Sequence, residues 1–169
     1  MKYSVVLPAK NEVGAIGETI KKIQQLNMID EIIVVNDGST DTTQLVAESA
    51  GAKVITHPYS KGNGAAIKTG ARNASGEIIV FMDADGQHNP NDIPKLLEKI
   101  NEGYDLVVGA RQKGSQASVG RGIAKYGQKN LKNSFIYYQM VFHIQQPVLW
   151  PFSELVIQLH MFQFMLLRG

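Results

Sequence analysis

Two kinds of hydrophobic pattern alternate along the first 110 or so residues. Short apolar runs bounded by turn residues are typical of buried strands, and apolar residues every three or four positions are typical of amphipathic helices. Strands are predicted at Tyr3–Leu7, Glu31–Val35, Lys53–Thr56, Ile78–Met82 and Asp105–Val108. Helices are predicted over residues 12–26, from the turn residues 36–41 to a stop at Gly51, over 61–75, and from Asn89 to a stop at Gly103. This alternation through short loops predicts an α/β fold, with a mostly parallel sheet flanked by helices.

The charge pattern changes after about residue 110. Residues 111–132 carry six basic side chains and no acidic one. Such a segment is either a solvated surface or a site for diphosphate, lipid phosphate or an anionic membrane surface. Between Asn133 and Leu167 the only charged residue is Glu154, and this segment holds eight of the 13 aromatic residues.

These changes predict a main domain over residues 1–132 and an atypical apolar and aromatic tail over 133–169. Phe135–Trp150 has neither a clean helical nor a clean strand periodicity, and a helix capped by Ser153 is only weakly indicated. The tail is either a poorly soluble, partly disordered end or a surface that packs on lipid or a partner. A truncated or frame-shifted end would also produce this texture.

Composition excludes some classes of site. The 169 residues suffice for one domain, and the absence of cysteine excludes disulfides, thiolate metal sites and cysteine nucleophiles. The apolar run before Pro8 is too short for a signal peptide, and no window is long enough for a membrane span. We therefore expect a cytoplasmic location.

Two carboxylates follow the most apolar of the predicted strands. Asp83-Ala84-Asp85 comes directly after Ile78–Met82, and carboxylates beside a buried strand are costly unless a cation meets them. Oxygen ligands of this kind suit Mg²⁺ or Mn²⁺, which would in turn hold phosphates. The alternative is a polar turn in which Asp83 caps the next helix.

Two other polar loops also follow predicted strands. They are Pro8–Glu12 and Asn36–Ser39, and in a parallel sheet all three loops emerge at the same edge, where ligands bind. An acid after the second strand can accept a hydrogen bond from a base or ribose. Lys61 would add positive charge at a helix N-terminus, which already favours anions. His88 is the one histidine close in sequence to the carboxylate pair, and either contacts ligand or belongs to the turn.

Several other nucleotide and hydrolase motifs are absent. The run from Gly62 to Ile67 lacks the third glycine of a dinucleotide-binding fingerprint, and there is neither a Walker A sequence nor a Gly-x-Ser-x-Gly elbow. A sugar-1-phosphate nucleotidyltransferase should carry a glycine-rich, arginine-containing loop where this chain has Pro8–Glu12. That class is therefore disfavoured.

Four motifs in order carry a family resemblance. Val5–Glu12, Val34–Asp41, Lys61–Gly64 and Met82–Gln87 resemble those of the family 2 glycosyltransferases. Within that family they look most like the dolichyl-phosphate and polyprenyl-phosphate sugar transferases. The resemblance covers roughly residues 3–125 and implies the GT-A fold with its Rossmann-like nucleotide-binding core.

The resemblance implies roles for individual residues. Pro8, Ala9 and Glu12 would line the nucleoside pocket, and Asp37 would bond the base. Val35, Lys61 and Ala84 would also belong to the nucleotide-sugar-binding site. Asp83 and Asp85 would bind ribose, metal and diphosphate, with Asp85 the firmer ligand of Mg²⁺ or Mn²⁺. Gln87 would face the donor sugar or its phosphate, and Arg111 would lie near the diphosphate; Asp85, Gln87 and Arg111 are the implied catalytic residues.

The implied reaction moves a sugar, with inversion, from a nucleotide-diphosphate sugar of the GDP-mannose or UDP-glucose type to a polyprenyl or dolichyl phosphate. The enzyme would act peripherally at a membrane surface and bind no nucleic acid. One departure is the missing Ser-Gly-Phe-Arg type motif, with its preceding acid, after the basic segment. The alternative is therefore a module that binds the nucleotide-diphosphate sugar and transfers nothing.

Overall fold

The computed structural model describes residues 1–104, 106–111, 122–125 and 136–143. In chain order the elements in these ranges are β1 (Tyr3–Ala9), α1 (Ile16–Gln24), β2 (Glu31–Asn36), α2 (Thr43–Ser49), β3 (Lys53–Thr56), α3 (Asn63–Asn73), β4 (Ile78–Met82), a 3₁₀ turn (Pro90–Asp92), α4 (Ile93–Asn101), β5 (Leu106–Arg111), β6 (Gly122–Lys125) and β7 (Ile136–His143). The predicted α/β fold is confirmed, and the predicted strands and helices of the first 110 residues are all present. No helix in the described ranges is long and apolar enough to cross a membrane.

The strands form one sheet in the order β3-β2-β1-β4-β7-β5-β6. The pairs β2–β3, β1–β2 and β1–β4 are parallel. Strand β7 runs antiparallel to both of its neighbours, β4 and β5, so that β5 points the same way as β4. Strand β6 is antiparallel to β5 at the edge. The sheet is therefore mostly parallel, as predicted.

Among the strands, the structure departs from the sequence prediction at the ends of β1, β2 and β5, and it adds β6 in the basic segment and β7 in the tail. Strand β1 continues through Pro8 to Ala9; it pairs with β4 only as far as Val6, so at Pro8 it has one neighbour and a missing N–H is tolerated. Strand β5 runs on to Arg111. Strand β7 lies within the segment for which the sequence indicated no regular structure. The domain boundary at residue 132 stays a prediction.

Helices cover both faces of the sheet. The larger core lies between the sheet and helices α1, α2 and α4, and the smaller one lies under α3. All five residues of β4 are buried, which explains why its sequence is apolar without alternation. This burial fixes the direction in which β4 delivers the loop that follows it.

Helix α3 lies unusually close to the centre of the sheet. A Cβ added to Gly70 would lie 2.2 Å from Val6 Cγ1 and 3.3 Å from Val35 Cγ2. Because real carbon atoms do not approach so closely, only glycine permits this contact. The contact positions the N-terminus of α3, and the loop before it, over the ends of β1 and β2.

Candidate functional site

Three polar loops meet at the carboxyl edge of the sheet. Ala9 pairs with Asn36 at the ends of β1 and β2, and the Asp37 amide donates to the Ala9 carbonyl over 2.9 Å. The loop after β4 reaches the start of α1, since a Cβ on Gly86 would lie 3.4 Å from the Ala15 Cβ. The predicted convergence of the three loops is therefore what the backbone shows.

Side chains join the loop after β1 to the loop after β2. The backbone amide of Asn11 donates to Ser39 Oγ over 3.0 Å, and the backbone amide of Thr40 donates to the side-chain Oδ1 of Asn11 over 2.8 Å. The Glu12 amide donates to Thr43 Oγ1 over 2.8 Å. Asn11 has a φ of 57°, a left-handed conformation that asparagine tolerates better than most residues. These bonds fix the backbone that carries Glu12.

Asp37 is surrounded by four hydrogen-bond donors. Its Oδ1 lies 2.7 Å from His57 Nδ1 and accepts the Lys61 amide over 2.8 Å. Its Oδ2 accepts the Ser60 hydroxyl and the Gly62 amide, each over 2.8 Å. A carboxylate offers about four lone-pair sites, so these contacts use its whole accepting capacity.

The ionisation of Asp37 follows from these contacts. The residue is only 4% exposed, and burial alone would raise its pKa. The hydrogen bonds from His57, the Lys61 amide, Ser60 and the Gly62 amide outweigh burial and hold the pKa of Asp37 well below its usual range. Base bonding by Asp37 stays a prediction, and it would require displacement of one of these donors.

The four donors to Asp37 all belong to the loop between β3 and α3, so their bonds to Asp37 hold this loop in place. His57 Nε2 lies 2.9 Å from Thr69 Oγ1 on α3, and Lys10 Nζ donates to Ser60 Oγ over 3.2 Å. Gly38 makes room for the loop, since a Cβ there would lie 2.6 Å from the Ser60 amide nitrogen, and its φ is +66°. The loop is therefore tied to the loops after β1 and β2 as well as to α3.

Negative charge accumulates next to this loop. Burial raises the pKa of the Glu12 carboxyl, and the charges of nearby acids raise it further: in decreasing order Asp85, Asp41 and Asp83. The structure thus brings Glu12 together with both predicted metal ligands. Within the described residues no group of three or more acidic or histidine side chains has the geometry of a metal site. The chemistry of these oxygens fits Mg²⁺ or Mn²⁺, whose charge would relieve the repulsion that Glu12 experiences.

Asp83 and Asp85 are held differently. Asp85 Oδ1 accepts the Gln87 amide over 2.9 Å, which folds the turn after β4. The side chain of Asp83 is 43% exposed, and its Oδ2 lies 3.3 Å from Nε2 of the buried His88 ring. Asp83 does not cap α4. Instead, the side-chain Oδ1 of Asn89 accepts a hydrogen bond from the backbone amide of Asn91 over 3.2 Å, at the start of the 3₁₀ turn that precedes this helix.

The other predicted site residues are distributed as follows. Pro8 and Ala9 end β1, Val35 is fully buried on β2, Ala84 is 1% exposed and Gln87 is exposed on the turn. The backbone of Arg111 ends β5, but its side chain lies outside the described residues, as does most of the basic segment 111–132 and of the tail.

Three residues of the site were missed by sequence reasoning: His57, Ser60 and Thr69. The strand register explains the position of His57, but that register has no local sequence signal. Because Asn36 pairs with Thr56 in the parallel pair β2–β3, the residues that follow, Asp37 and His57, leave the sheet side by side. The pair could therefore be predicted only once this register is known.

The comparisons with known proteins agree with this geometry. A family model described as glycosyl transferase family 2 matches residues 4–162. The chain belongs to the glycosyl transferase family 2. The predicted resemblance to this family and to its polyprenyl-phosphate sugar transferases is confirmed by this match and by the relatives below.

Two relatives of the family 2 chain carry informative names. A dolichol-phosphate mannosyltransferase from Pyrococcus furiosus is 41% identical over 119 residues, which are 66% of this chain and 33% of the relative. An undecaprenyl-phosphate 4-deoxy-4-formamido-L-arabinose transferase from Proteus mirabilis is 36% identical over 129 residues, 69% of this chain and 39% of the relative. The chain therefore spans little more than a third of the length of these curated relatives.

A solved structure gives the same fold. Glucosyl-3-phosphoglycerate synthase from Mycobacterium tuberculosis, crystallised with Mn²⁺, UDP-glucose and phosphoglyceric acid, is similar with a TM-score of 0.56 and 36% identity, covering 62% of this chain and 42% of the synthase. The same synthase has also been crystallised with Mg²⁺ and UDP. The fold of the family 2 chain is the GT-A fold.

Proposed function

We propose that this chain is the donor-binding part of an inverting glycosyltransferase that moves a sugar from a nucleotide-diphosphate sugar to a polyprenyl or dolichyl phosphate. The observation that carries the proposal is the convergence of the loops after β1, β2 and β4 at the carboxyl edge of a parallel sheet. This arrangement puts Glu12 near Asp85, Asp41 and Asp83, whose charges add to burial in raising its pKa.

Asp83 and Asp85 are the residues that would hold Mg²⁺ or Mn²⁺. A bound divalent cation would stabilise the negative charge that develops on the departing nucleoside diphosphate. The two relatives named for dolichol phosphate and undecaprenyl phosphate support a lipid-phosphate acceptor. The similar synthase crystallised with UDP-glucose supports a nucleotide-sugar donor.

The chain's other residues would bind and orient the donor. Pro8, Ala9 and Glu12 would line the nucleoside pocket with Val35 and Ala84, and Asp37 lies next to that pocket. Lys61 and Arg111 would face the diphosphate, and Gln87 would contact the sugar or its phosphate. In the transfer, an oxygen of the acceptor forms a bond to the anomeric carbon while the bond to the diphosphate breaks, and the electron pair leaves with the diphosphate.

A lipid-phosphate acceptor would need no general base. A phosphate is already an anion at neutral pH, so positioning matters more than proton removal. This fits the described part of the site, where Asp37 is occupied by donors and Glu12 lies near Asp85, Asp41 and Asp83, which we propose as neighbours or ligands of the cation. The acceptor would be met at a membrane surface.

Asp85→Ala tests the proposal. Titration calorimetry of the full chain with UDP and with GDP, each with Mn²⁺, should show loss of metal-dependent binding in this variant. Glu77→Ala is the matched control, because Glu77 is an exposed acid just before the opposite end of the same strand β4. Unchanged affinity in Asp85→Ala would reject the metal role.

A second candidate is a module that binds the donor and transfers nothing. It is favoured by one observation, the absence of a Ser-Gly-Phe-Arg type motif after the basic segment 111–132. Transfer of radiolabelled sugar from UDP-glucose or GDP-mannose to polyprenyl phosphate separates the two candidates. A module would bind nucleotide with Mn²⁺ and yield no labelled lipid.

A further inference from the structure

We propose that Asp37 and His57 are positioning residues that preset the loop 57–62 for the diphosphate of the donor. The inference rests on the proposed function and assigns to this loop a task at the same site. The pair is buried, with each side chain 6% exposed and 2.7 Å between His57 Nδ1 and Asp37 Oδ1. Neither residue needs to touch the donor for this task.

The charge state of the pair fixes which atom donates. The pKa of Asp37 is held low by its hydrogen bonds, so its carboxylate accepts only. His57 Nδ1 therefore carries the proton, and Nε2 remains for Thr69 Oγ1 at 2.9 Å. His57 thus links the end of β2 to the middle of α3.

The same carboxylate supplies the anion at the start of α3. The amides of Lys61 and Gly62, immediately before the first helical residue, both donate to Asp37. The positive end of the helix is therefore partly compensated from within the protein. The donor diphosphate would depend correspondingly more on the Lys61 side chain, whose Nζ lies 5.6 Å from the centroid of the exposed Tyr59 ring.

The conformation of the loop depends on these contacts. Gly62 has a φ of +90°, which allows the backbone to turn from the loop into α3. Ser60 donates to Asp37 and accepts from Lys10, so one acidic group controls both the loop and its tie to the loop after β1. Loss of the His57–Asp37 bond should release Lys61 from the geometry in which the diphosphate meets it.

Two substitutions of His57 separate its two bonds. In His57→Asn the amide nitrogen replaces Nδ1 and keeps a donor at Asp37, whereas in His57→Gln the amide group replaces Nε2 and keeps the partner of Thr69. We expect the dissociation constants for UDP or GDP with Mn²⁺ to rise between about tenfold and 100-fold in His57→Gln, as displacement of a binding group by about 1 Å would cause. In His57→Asn they should stay within about twofold of the unsubstituted chain, the range of independent small effects.

A double-mutant cycle with Lys61→Ala tests whether His57 acts through Lys61. If it does, adding His57→Gln to Lys61→Ala should weaken nucleotide binding by no more than about twofold further. Additive losses, or a His57→Gln chain that binds as tightly as the unsubstituted one, would overturn the inference while the donor assignment stands. A merely structural role would lower affinity in both backgrounds alike.

Ser60→Ala is a second variant, and it tests the positioning of the loop 57–62 if His57→Gln fails to fold. Ser60 is exposed as a residue and gives one donor to Asp37 Oδ2, so its removal should leave the fold intact. We expect weaker nucleotide binding, by about threefold to tenfold, the net effect of one ordinary hydrogen bond at an exposed residue; unchanged binding would overturn the inference. If the unsubstituted chain binds neither UDP nor GDP with Mn²⁺, the proposed function fails, and this inference fails with it.

Discussion

Asp37→Asn should destabilise the fold more than any other isosteric change of an acid at this edge of the sheet. The carboxylate accepts two donors on each oxygen: His57 and the Lys61 amide on Oδ1, Ser60 and the Gly62 amide on Oδ2. An asparagine side chain must turn its NH₂ group toward one of these pairs. Two of the four bonds are then lost or reversed.

The size of the effect follows from the better of the two orientations. With the NH₂ group on the Oδ2 side, the Ser60 hydroxyl can rotate and accept, and only the Gly62 amide faces another donor. The Gly62 bond is part-buried, so leaving its amide unpaired should cost toward the lower end of the about 1–3 kcal/mol of a buried donor, and the loss of charge weakens the remaining bonds. We therefore expect Asp37→Asn to lower the free energy of unfolding by about 2–4 kcal/mol.

The effect should depend on pH in a defined direction. The folded-state pKa of Asp37 lies below the ordinary value near 3.8. Its stabilising contribution is therefore fully present above the ordinary value and is lost as pH falls through the folded-state pKa. The difference between the two chains should shrink below about pH 4.

Urea denaturation followed by far-UV circular dichroism measures the difference. Asp30→Asn is the matched control, because exposed Asp30 accepts one bond, from the Tyr3 amide over 2.8 Å, and asparagine keeps an oxygen for it. The control should change the free energy of unfolding by less than about 0.5 kcal/mol. If Asp37→Asn behaves like the control at pH 7, the four donors do not contribute what their geometry indicates.

Three further predictions concern stability. Gly70→Ala should lower the free energy of unfolding by about 1–3 kcal/mol because its Cβ would lie 2.2 Å from Val6 Cγ1, and the loss in a Val6→Ala background should be much smaller in the same urea assay. Glu12→Gln should raise the melting temperature at pH 7, because burial and nearby acids raise the pKa of Glu12 and so disfavour its charged form. The gain should vanish as pH falls below that raised pKa, and a lower melting temperature at pH 7 would contradict the prediction. Gly38→Ala should destabilise by at least about 1 kcal/mol, because its φ is +66° and its Cβ would lie 2.6 Å from the Ser60 amide; a melting temperature equal to that of the unsubstituted chain would contradict the close approach.

The elements that could be predicted from sequence are those whose own residues carry the pattern of a strand or a helix. Strand β4 is five apolar residues between Gly76-Glu77 and Asp83, and α4 shows apolar residues at helical spacing before Gly103, so both could be recognised without knowledge of their neighbours. Strand β7 could not, because its place between β4 and β5 is defined by antiparallel pairing with strands far away in the chain.

The residues of the candidate site likewise include some that could be predicted from the sequence and some that could not. The positions of Glu12, Asp83 and Asp85 after strands were enough to predict that the loops carrying them converge, because parallel strands deliver their loops to one edge. The His57–Asp37 pair depends on the register of β2 with β3, and its donors Ser60 and Gly62 depend on the path of a loop. Neither the register nor the path has a local sequence signal.

The pKa of Asp37 is lowered and the pKa of Glu12 is raised at this edge of the sheet, and the difference indicates that the two acids have different roles. Asp37 is satisfied entirely by the protein, so its low pKa reports a structural task. Glu12 is partly buried beside other acids, and burial and their negative charges raise its pKa. Perturbed carboxylates of this kind are often found where a ligand supplies the opposite charge. The edge that Asp37 organises is thus the edge at which we propose that Asp83 and Asp85 receive a cation and, with it, the diphosphate of a donor.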